Sequence, residues 1–375
     1  MKATALKETL QRALSVVERA TAKNPSLPIL GTIAILAQKN KLELAATDLE
    51  FGVRYRVLAQ TEKEGGVAVP SHLLSQFVGL LPEKQVILAA SATGLQVVSK
   101  EHKTLVKTLS LDDFPIIPTL QGNEKAIEVD VKTLVLGLEK VVSVTGQTQV
   151  RPEISGVYFL FQQDLLRLVA TDSFRLAEKT LSFVGPQKTE ATFILPQKTA
   201  KELVSIFGDL QGVMRIYISP AQVLFEYIDK EDVKGPTIQV VSRLIEGEYP
   251  QYQDVIPKDC QTIMVTEKAE LISRLRAASL FSGKMNDVHV VLDPKKQGMQ
   301  LSAKSSDVGE HSSLVPGKVQ GKALEASFNW RFLLEGVSQI QSQELEIGFG
   351  GEDAPAVLRP IGQGDYLYVV MPVKV

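Results

Sequence analysis

Asp172 and Arg175 stand three residues apart in the phrase Ala170–Leu176, which follows the apolar run Leu165–Val169 and leads back into strand-like residues. A carboxylate and a guanidinium flanked by Thr171 and Ser173 suit acid/base work, anion binding or the capping of a tight turn. A related phrase, Ala46–Phe51, lies 124 residues earlier and puts Asp48 at the corresponding point. Aspartates in separate repeats lie too far apart to form an acid/base pair, so the recurrence favours turn capping. His72, His102, His289 and His311 are scattered, and one cysteine, Cys260, gives them no help toward a zinc spacing. No Walker loop, dinucleotide fingerprint or nucleophile elbow is present, and Gly65-Gly66 and Gly350-Gly351 read as turns. The polar loop Gln147–Arg151 suits phosphate contact through Arg151 and sugar or base contact through its amides, and equally a solvated connection. The apolar end Tyr368–Val373 reads either as a buried edge strand or as a lip for a partner's peptide, with Met371 an adaptable wall.

The elements that carry these residues repeat. Leu6, Leu10, Ala13 and Leu14 form the apolar stripe of an amphipathic helix, expected over Met1–Ala20. Leu134, Leu138, Val141 and Val142 repeat the stripe, and Leu271, Leu275, Ala278 and Ser279 repeat it again. A second helical phrase recurs as Leu73, Leu74 and Phe77, as Leu203, Val204 and Phe207, and as Leu333, Leu334 and Val337, each after a short strand. Between the helices lie strand signals such as Thr32–Ala37, Leu42–Thr47 and Phe51–Leu58, separated by turn residues. Three copies of one unit with helices on antiparallel sheets make an α+β fold. Asp112–Pro118 and Glu248–Pro257 read as extended linkers, which sets the domains at 1–123, 124–258 and 259–375.

A chain of 375 residues suits two or three domains. No apolar run approaches the ~20 residues that cross a bilayer, and a single cysteine suits a reducing compartment. The expectation is a soluble, cytoplasmic protein with no membrane partner. The net charge is −2, yet it is unevenly placed. Residues 1–24 and 268–285 each carry +3 and residues 197–208 carry +1, so the rest of the chain is markedly acidic. Basic helices on an acidic body can guide a polyanion to one face, whereas the bland reading is ordinary solvated helix positions.

Several phrases occur in order along the whole chain: Leu27–Gly31, Ala46–Glu50, Ala170–Asp172 with Arg175–Ala177, Glu246-Gly247 with Tyr249-Pro250 and Tyr252, and terminal Val369–Pro372. Together they resemble the bacterial sliding-clamp family, the beta subunits of DNA polymerase III. The resemblance implies three clamp-fold domains per chain and a head-to-tail homodimeric ring around double-stranded DNA, with helices lining the hole. It implies sequence-independent DNA contact, no catalysis and no cofactor, since a separate loader opens the ring. Inner-face contacts would come from Lys7, Arg12, Lys23 and the Asn24 position, from Gln149 and Arg151, and from Lys198 and Lys201.

The same resemblance implies a pocket for short linear peptides of the replicative polymerase, the clamp loader, translesion polymerases and repair factors. Its walls would be Ile154, Thr171, Ser173, Phe174, Arg175 and Leu176 from the central domain. Pro250, Asp254, Val255 and Met285 would follow, then Asn329, Phe332 and Ala356, and finally Val369, Val370, Met371, Pro372 and Val373. Phe174 stands where many members have His, Phe332 replaces a frequent Tyr, and Asp254 and Asn24 stand where basic residues are common. These departures imply a more apolar pocket with one local charge reversed. Two other readings compete: a repeat-built α+β enzyme centred on Asp172 and Arg175, and a structural oligomer that binds no nucleic acid.

Overall fold

The computed structural model describes residues 1–23, 26–119, 126–148, 150–183, 190–229, 237–362 and 364–374. The boundary expected near Asn123 lies outside the described residues, as do Asn24, Gln149 and Val375.

Each copy runs strand, helix, four strands, helix, three strands. Copy one comprises β1 (Lys2–Leu6), α1 (Lys7–Val17), β2 (Thr32–Gln38), β3 (Lys41–Thr47), β4 (Phe51–Lys63), β5 (Gly65–Pro70), α2 (Ser71–Leu80), β6 (Gln85–Ser91), β7 (Gly94–Ser99) and β8 (His102–Val106). Copy two comprises β9 (Ile127–Asp130), α3 (Val131–Val141), β10 (Gly156–Gln162), β11 (Leu165–Thr171), β12 (Arg175–Ser182), β13 (Ala191–Pro196), α4 (Gln197–Phe207), β14 (Val213–Ile218), β15 (Gln222–Ile228) and β16 (Ile238–Arg243). Copy three comprises β17 (Thr262–Glu267), α5 (Lys268–Ser279), β18 (Asp287–Leu292), β19 (Met299–Ser305), β20 (Gly309–Val315), an inserted β21 (Lys318–Gly321), β22 (Leu324–Asn329), α6 (Trp330–Gln339), β23 (Glu344–Phe349), β24 (Ala356–Pro360) and β25 (Tyr366–Val370).

The first helix of copy one, Lys7–Val17, is shorter than the expected Met1–Ala20, because a strand precedes it without an intervening loop. Ala3 and Ala5 are buried while Lys2 and Leu6 are exposed, a period of two that runs straight into the helix. Leu6, expected in the helical stripe, is therefore the last strand residue. Leu10, Ala13 and Leu14 are fully buried as the stripe required, each leucine contributing roughly 1.5–3 kcal/mol by leaving water. Leu73 is exposed, and Leu74 with Val78 takes the inward face of α2. Lysines at the starts of two first helices serve the ends of the second helices. Lys7 donates to the Leu81 carbonyl at 2.5 Å, and Lys268 to the Ile340 carbonyl at 2.6 Å. A cation at a helix C-terminus satisfies an orphan carbonyl and opposes the helix dipole.

All strand pairs are antiparallel, and each copy builds two four-stranded sets. These are β5–β2–β3–β4 with β1–β6–β7–β8, then β13–β10–β11–β12 with β9–β14–β15–β16, then β22–β18–β19–β20 with β17–β23–β24–β25. The sets do not stay within copies. β4 pairs with β16 of copy two, and β12 pairs with β25 of copy three. The chain accordingly divides into two compact units, residues 1–135 with 201–244 and residues 136–200 with 245–375. The division passes through copy two because backbone hydrogen bonding is continuous across each copy boundary. Among the described residues no helix is long and apolar enough to cross a membrane.

Tyr368 is fully buried in the second unit, and its hydroxyl donates to the Phe332 carbonyl at 2.9 Å. Gly336 of α6 lies against this ring, and an added Cβ would come within 2.4 Å of it. Gly336→Ala is expected to lower the thermal midpoint, because overpacking a closed core costs about 1–3 kcal/mol. An unchanged melting curve would show that the ring has room to move.

Candidate functional site

The site is built on the turn that joins β11 to β12. Thr171 Oγ1 donates to the Arg175 carbonyl at 2.7 Å and accepts from Ser173 N at 3.2 Å. Asp172 Oδ1 accepts from Phe174 N and Arg175 N, both at 3.0 Å, and Oδ2 accepts from Arg175 Nε at 2.9 Å. Ser173 adopts φ 76°, the left-handed conformation that this closure requires. Both oxygens of Asp172 are thus bonded to N–H donors within the turn, the capping role that the recurrence favours. Among the described residues no three His, Cys, Asp or Glu side chains gather as metal ligands would.

Arg175 is held from four sides. Besides Asp172 it pairs with Glu335 of α6, donates to the Ser143 carbonyl at 3.4 Å, and lies 4.4 Å from the Phe332 ring centre. Burial alone would lower its pKa. Tyr368, Glu335 and Asp172 outweigh burial and raise it above the ordinary arginine value. The guanidinium is therefore a fixed part of the wall.

Next to this turn is a cavity of about 250 Å³ lined by Arg151, Ile154, Thr171, Ser173, Arg175, Leu176, Pro250, Gln251, Tyr252, Val255, Val369 and Met371. The ladder explains why residues so distant in sequence meet. Thr171 pairs with Leu176, Leu176 with Val369, and Val369 with Val357, so one rung forms the floor. The segment Pro250–Val255 supplies a wall, and Met371 is placed by its amide, which donates to the Phe174 carbonyl at 2.8 Å. A larger groove of about 1340 Å³ follows α5 past Lys268, Ile272 and Arg276. It lacks the cleft's apolar floor with converging polar groups, the usual mark of a ligand site.

Nine of the residues expected from sequence line the cleft: Ile154, Thr171, Ser173, Arg175, Leu176, Pro250, Val255, Val369 and Met371. Others stand around it. Ala356 and Val370 are fully buried ladder partners, and Phe332 lies under Arg175. Asn329 caps α6, accepting from Arg331 N at 2.9 Å. Phe174 is exposed beside the Ser173 turn, and Met285 and Asp254 are exposed and do not line the cavity. Pro372 belongs to a tail that Val373 ties to Ser327, its N–H donating to that carbonyl at 2.7 Å, and Val373 lines a separate open groove.

Three lining residues were absent from the expected pocket. Arg151, expected at DNA, also lines the cleft and pairs with Glu153 at 3.0 Å. Tyr252 and Gln251 are the others. The aromatic-proline linker phrase was the signal for Tyr252. Of the remaining residues expected at DNA, Arg12, Lys23, Lys198 and Lys201 are exposed, and Lys7 is half-buried on the Leu81 carbonyl.

Residues 1–118, 128–251 and 253–374 match, in turn, the N-terminal, central and C-terminal domains of the DNA polymerase III beta subunit. The chain belongs to that family. Curated relatives include the beta sliding clamp of Synechococcus elongatus, 28% identical over 384 residues and covering 100% of this chain and 99% of that one. The beta sliding clamp of Bacillus subtilis is 24% identical over 386 residues, with both chains covered in full. Among solved structures, the Thermotoga maritima beta subunit matches at 26% identity with TM-score 0.91, covering 100% of this chain and 99% of that one. The Bacillus subtilis sliding clamp matches in fold at 24% identity with TM-score 0.93, over 100% and 99% of the two chains. Three domains of helices and antiparallel sheets are the DNA clamp fold.

Beneath the cleft Tyr249 stacks on Tyr158 at 4.6 Å, and Tyr249, Tyr366 and Tyr368 are held well above the ordinary phenol pKa, chiefly by burial. The folded state keeps these phenols neutral, whereas the unfolded chain ionises them near pH 10. Their stabilisation is intact below about pH 10 and is lost as pH rises beyond it. Tyrosinate absorbance is expected to rise in two stages, the second coinciding with loss of circular dichroism. A single step near pH 10 with the fold intact would contradict the burial assigned to these rings.

Proposed function

We propose that this chain is a DNA sliding clamp, two copies of which close head to tail around duplex DNA and tether the replicative polymerase for processive synthesis. The pairing rule between copies carries the reading. β4 of copy one joins β16 of copy two, and β12 of copy two joins β25 of copy three. By the same rule β20 of copy three seeks β8 of a copy one. Both are edge strands in the chain, and an unpaired edge is a template for another strand. A second copy can satisfy both rules at once, and such a heterologous contact yields a ring if its rotation closes.

A ring holds DNA by enclosure, so its phosphate contacts need be only weak and independent of sequence. Exposed Arg12, Lys23, Lys198 and Lys201 on or beside helices of an otherwise acidic chain support that role. Lys7 serves α2 first. Gln149, Arg151 and Asn24 complete the proposed set, and the repeating domains are taken as 1–123, 124–258 and 259–375. The chain needs no cofactor and performs no catalysis in this reading, and it works in the cytoplasm.

The cleft receives short peptides from the polymerase, the loader, translesion polymerases and repair factors. Its apolar floor takes an aliphatic or aromatic side chain, and the fixed Arg175 with the turn backbone orients the peptide. Phe174, Asp254, Met285, Asn329, Phe332, Ala356, Val370, Pro372 and Val373 act as rim or support.

Loading with the cognate loader should leave the protein stably bound to circular DNA and let it run off linear DNA. Equal loss from both would sink the ring. Met371→Ala combined with removal of Val373–Val375 should weaken a labelled peptide from the cognate polymerase roughly tenfold, about 1.4 kcal/mol, while the dimer persists in gel filtration. Unchanged affinity by fluorescence polarisation would place the peptide elsewhere.

A further inference from the structure

The turn between β3 and β4 repeats the turn of the cleft. Thr47 Oγ1 donates to the Phe51 carbonyl at 2.9 Å, as Thr171 does to Arg175, and Leu49 has φ 80° where Ser173 has 76°. Arg243 N donates to the Glu50 carbonyl at 2.9 Å, as Met371 N does to Phe174 at 2.8 Å. The ladders continue the match. Gly52 pairs with Val241 and Val241 with Leu224, where Leu176 pairs with Val369 and Val369 with Val357. The junction of copies one and two therefore has its own version of the cleft floor.

That floor is covered by the chain itself. Ile117 packs with Ala34, Ala45, Leu224 and Val241 and is only 6% exposed. A Cβ on Gly52, the counterpart of Leu176, would meet Ile117 Cγ2 at 3.1 Å. Arg54, one turn of the pleat along β4, donates to the carbonyls of Ile117 and Pro118. Ile116 is 94% exposed, so successive isoleucines point out and in, as in an extended bound peptide.

We propose that the first junction is a latent copy of the peptide cleft, occupied by the chain's own Phe114–Pro118 segment with Ile117 as anchor and Arg54 as clasp. Its ligand class, once the segment is displaced, is a short extended peptide carrying a branched aliphatic side chain. The inference rests on reading the open cleft as a peptide site. A tethered occupant acts at high effective concentration, so each protomer offers partners one cleft where the fold provides two.

The test uses the full chain and the synthetic pentapeptide Phe-Pro-Ile-Ile-Pro, blocked at both ends. In the wild type it should bind once per protomer and shift the methyl resonances of Val369 and Val357. In Arg54→Gln/Ile117→Ser it should bind twice and also shift Val241 and Leu224. Shifts at Val369 without shifts at Val241 in the variant would overturn the latent site and leave the open cleft standing. Shifts at Val241 alone would sustain the latent site and remove the open cleft's assignment. Should the double variant not fold, Arg54→Gln retains the anchor. Hydrogen exchange of segment 111–119 should then speed up at least tenfold, with Gln251–Val255 unchanged, and an unaltered rate would overturn the clasp.

Discussion

Backbone pairing across copy boundaries is the constraint on which the rest depends. The β4–β16 and β12–β25 ladders fuse neighbouring sheets, so a repeat is never a closed structure on its own. An α+β unit that ends in open edges must either blunt them or use them. Here two junctions are made within the chain, and among the described residues β20 and β8, the strands at the corresponding positions, each end a sheet. One rule recurs: each internal junction aligns a Thr-Asp turn, a ladder rung and a linker.

The two internal junctions diverge through a few side chains. At the second, Leu176 and Val369 line a cavity beside the linker, whose Tyr252 is buried against Val169, Val357 and Val369. At the first, Gly52 leaves room that Ile117 fills. Beside the turns the same contrast recurs: Phe51 lies where Arg175 lies, buried and apolar in one copy, charged and clasped by Glu335 in the other. Copying a junction and then filling or emptying it is a small change in sequence, since neither ladder nor turn bonding needs to alter.

Much of the architecture was legible because it is periodic. The stripes Leu10–Leu14 and Leu271–Ala278 and the recurring aspartates of the turns follow from spacings that a helix or a strand imposes. The strands β1, β9 and β17 were not legible, since four to six residues that flow into a helix without a turn residue merge into its pattern. The cleft was legible only through the family phrases, because the rung joining Thr171, Leu176, Val369 and Val357 is a product of long-range register. Arg151 was not legible as a cleft residue, because an arginine in a polar loop reads as a phosphate ligand and its place beside Pro250 and Tyr252 depends on long-range packing. Exposure of Leu73 in place of Leu74 reflects a one-residue shift of the stripe in copy one.

A clamp has opposite requirements at its two surfaces. In the proposed ring DNA is held without being gripped, so charge on the enclosing face is best exposed and unpaired with any one phosphate. The cleft, in its proposed role, must hold a peptide through few contacts, which works only if the walls are already in place. Arg175 shows how this is met: its charge is satisfied by Asp172 and Glu335 and its plane fixed on Phe332 before any ligand arrives. A guanidinium so committed adds little net attraction. It removes the entropic cost of ordering a wall, and it leaves selectivity to the apolar floor and to the turn backbone around Ser173.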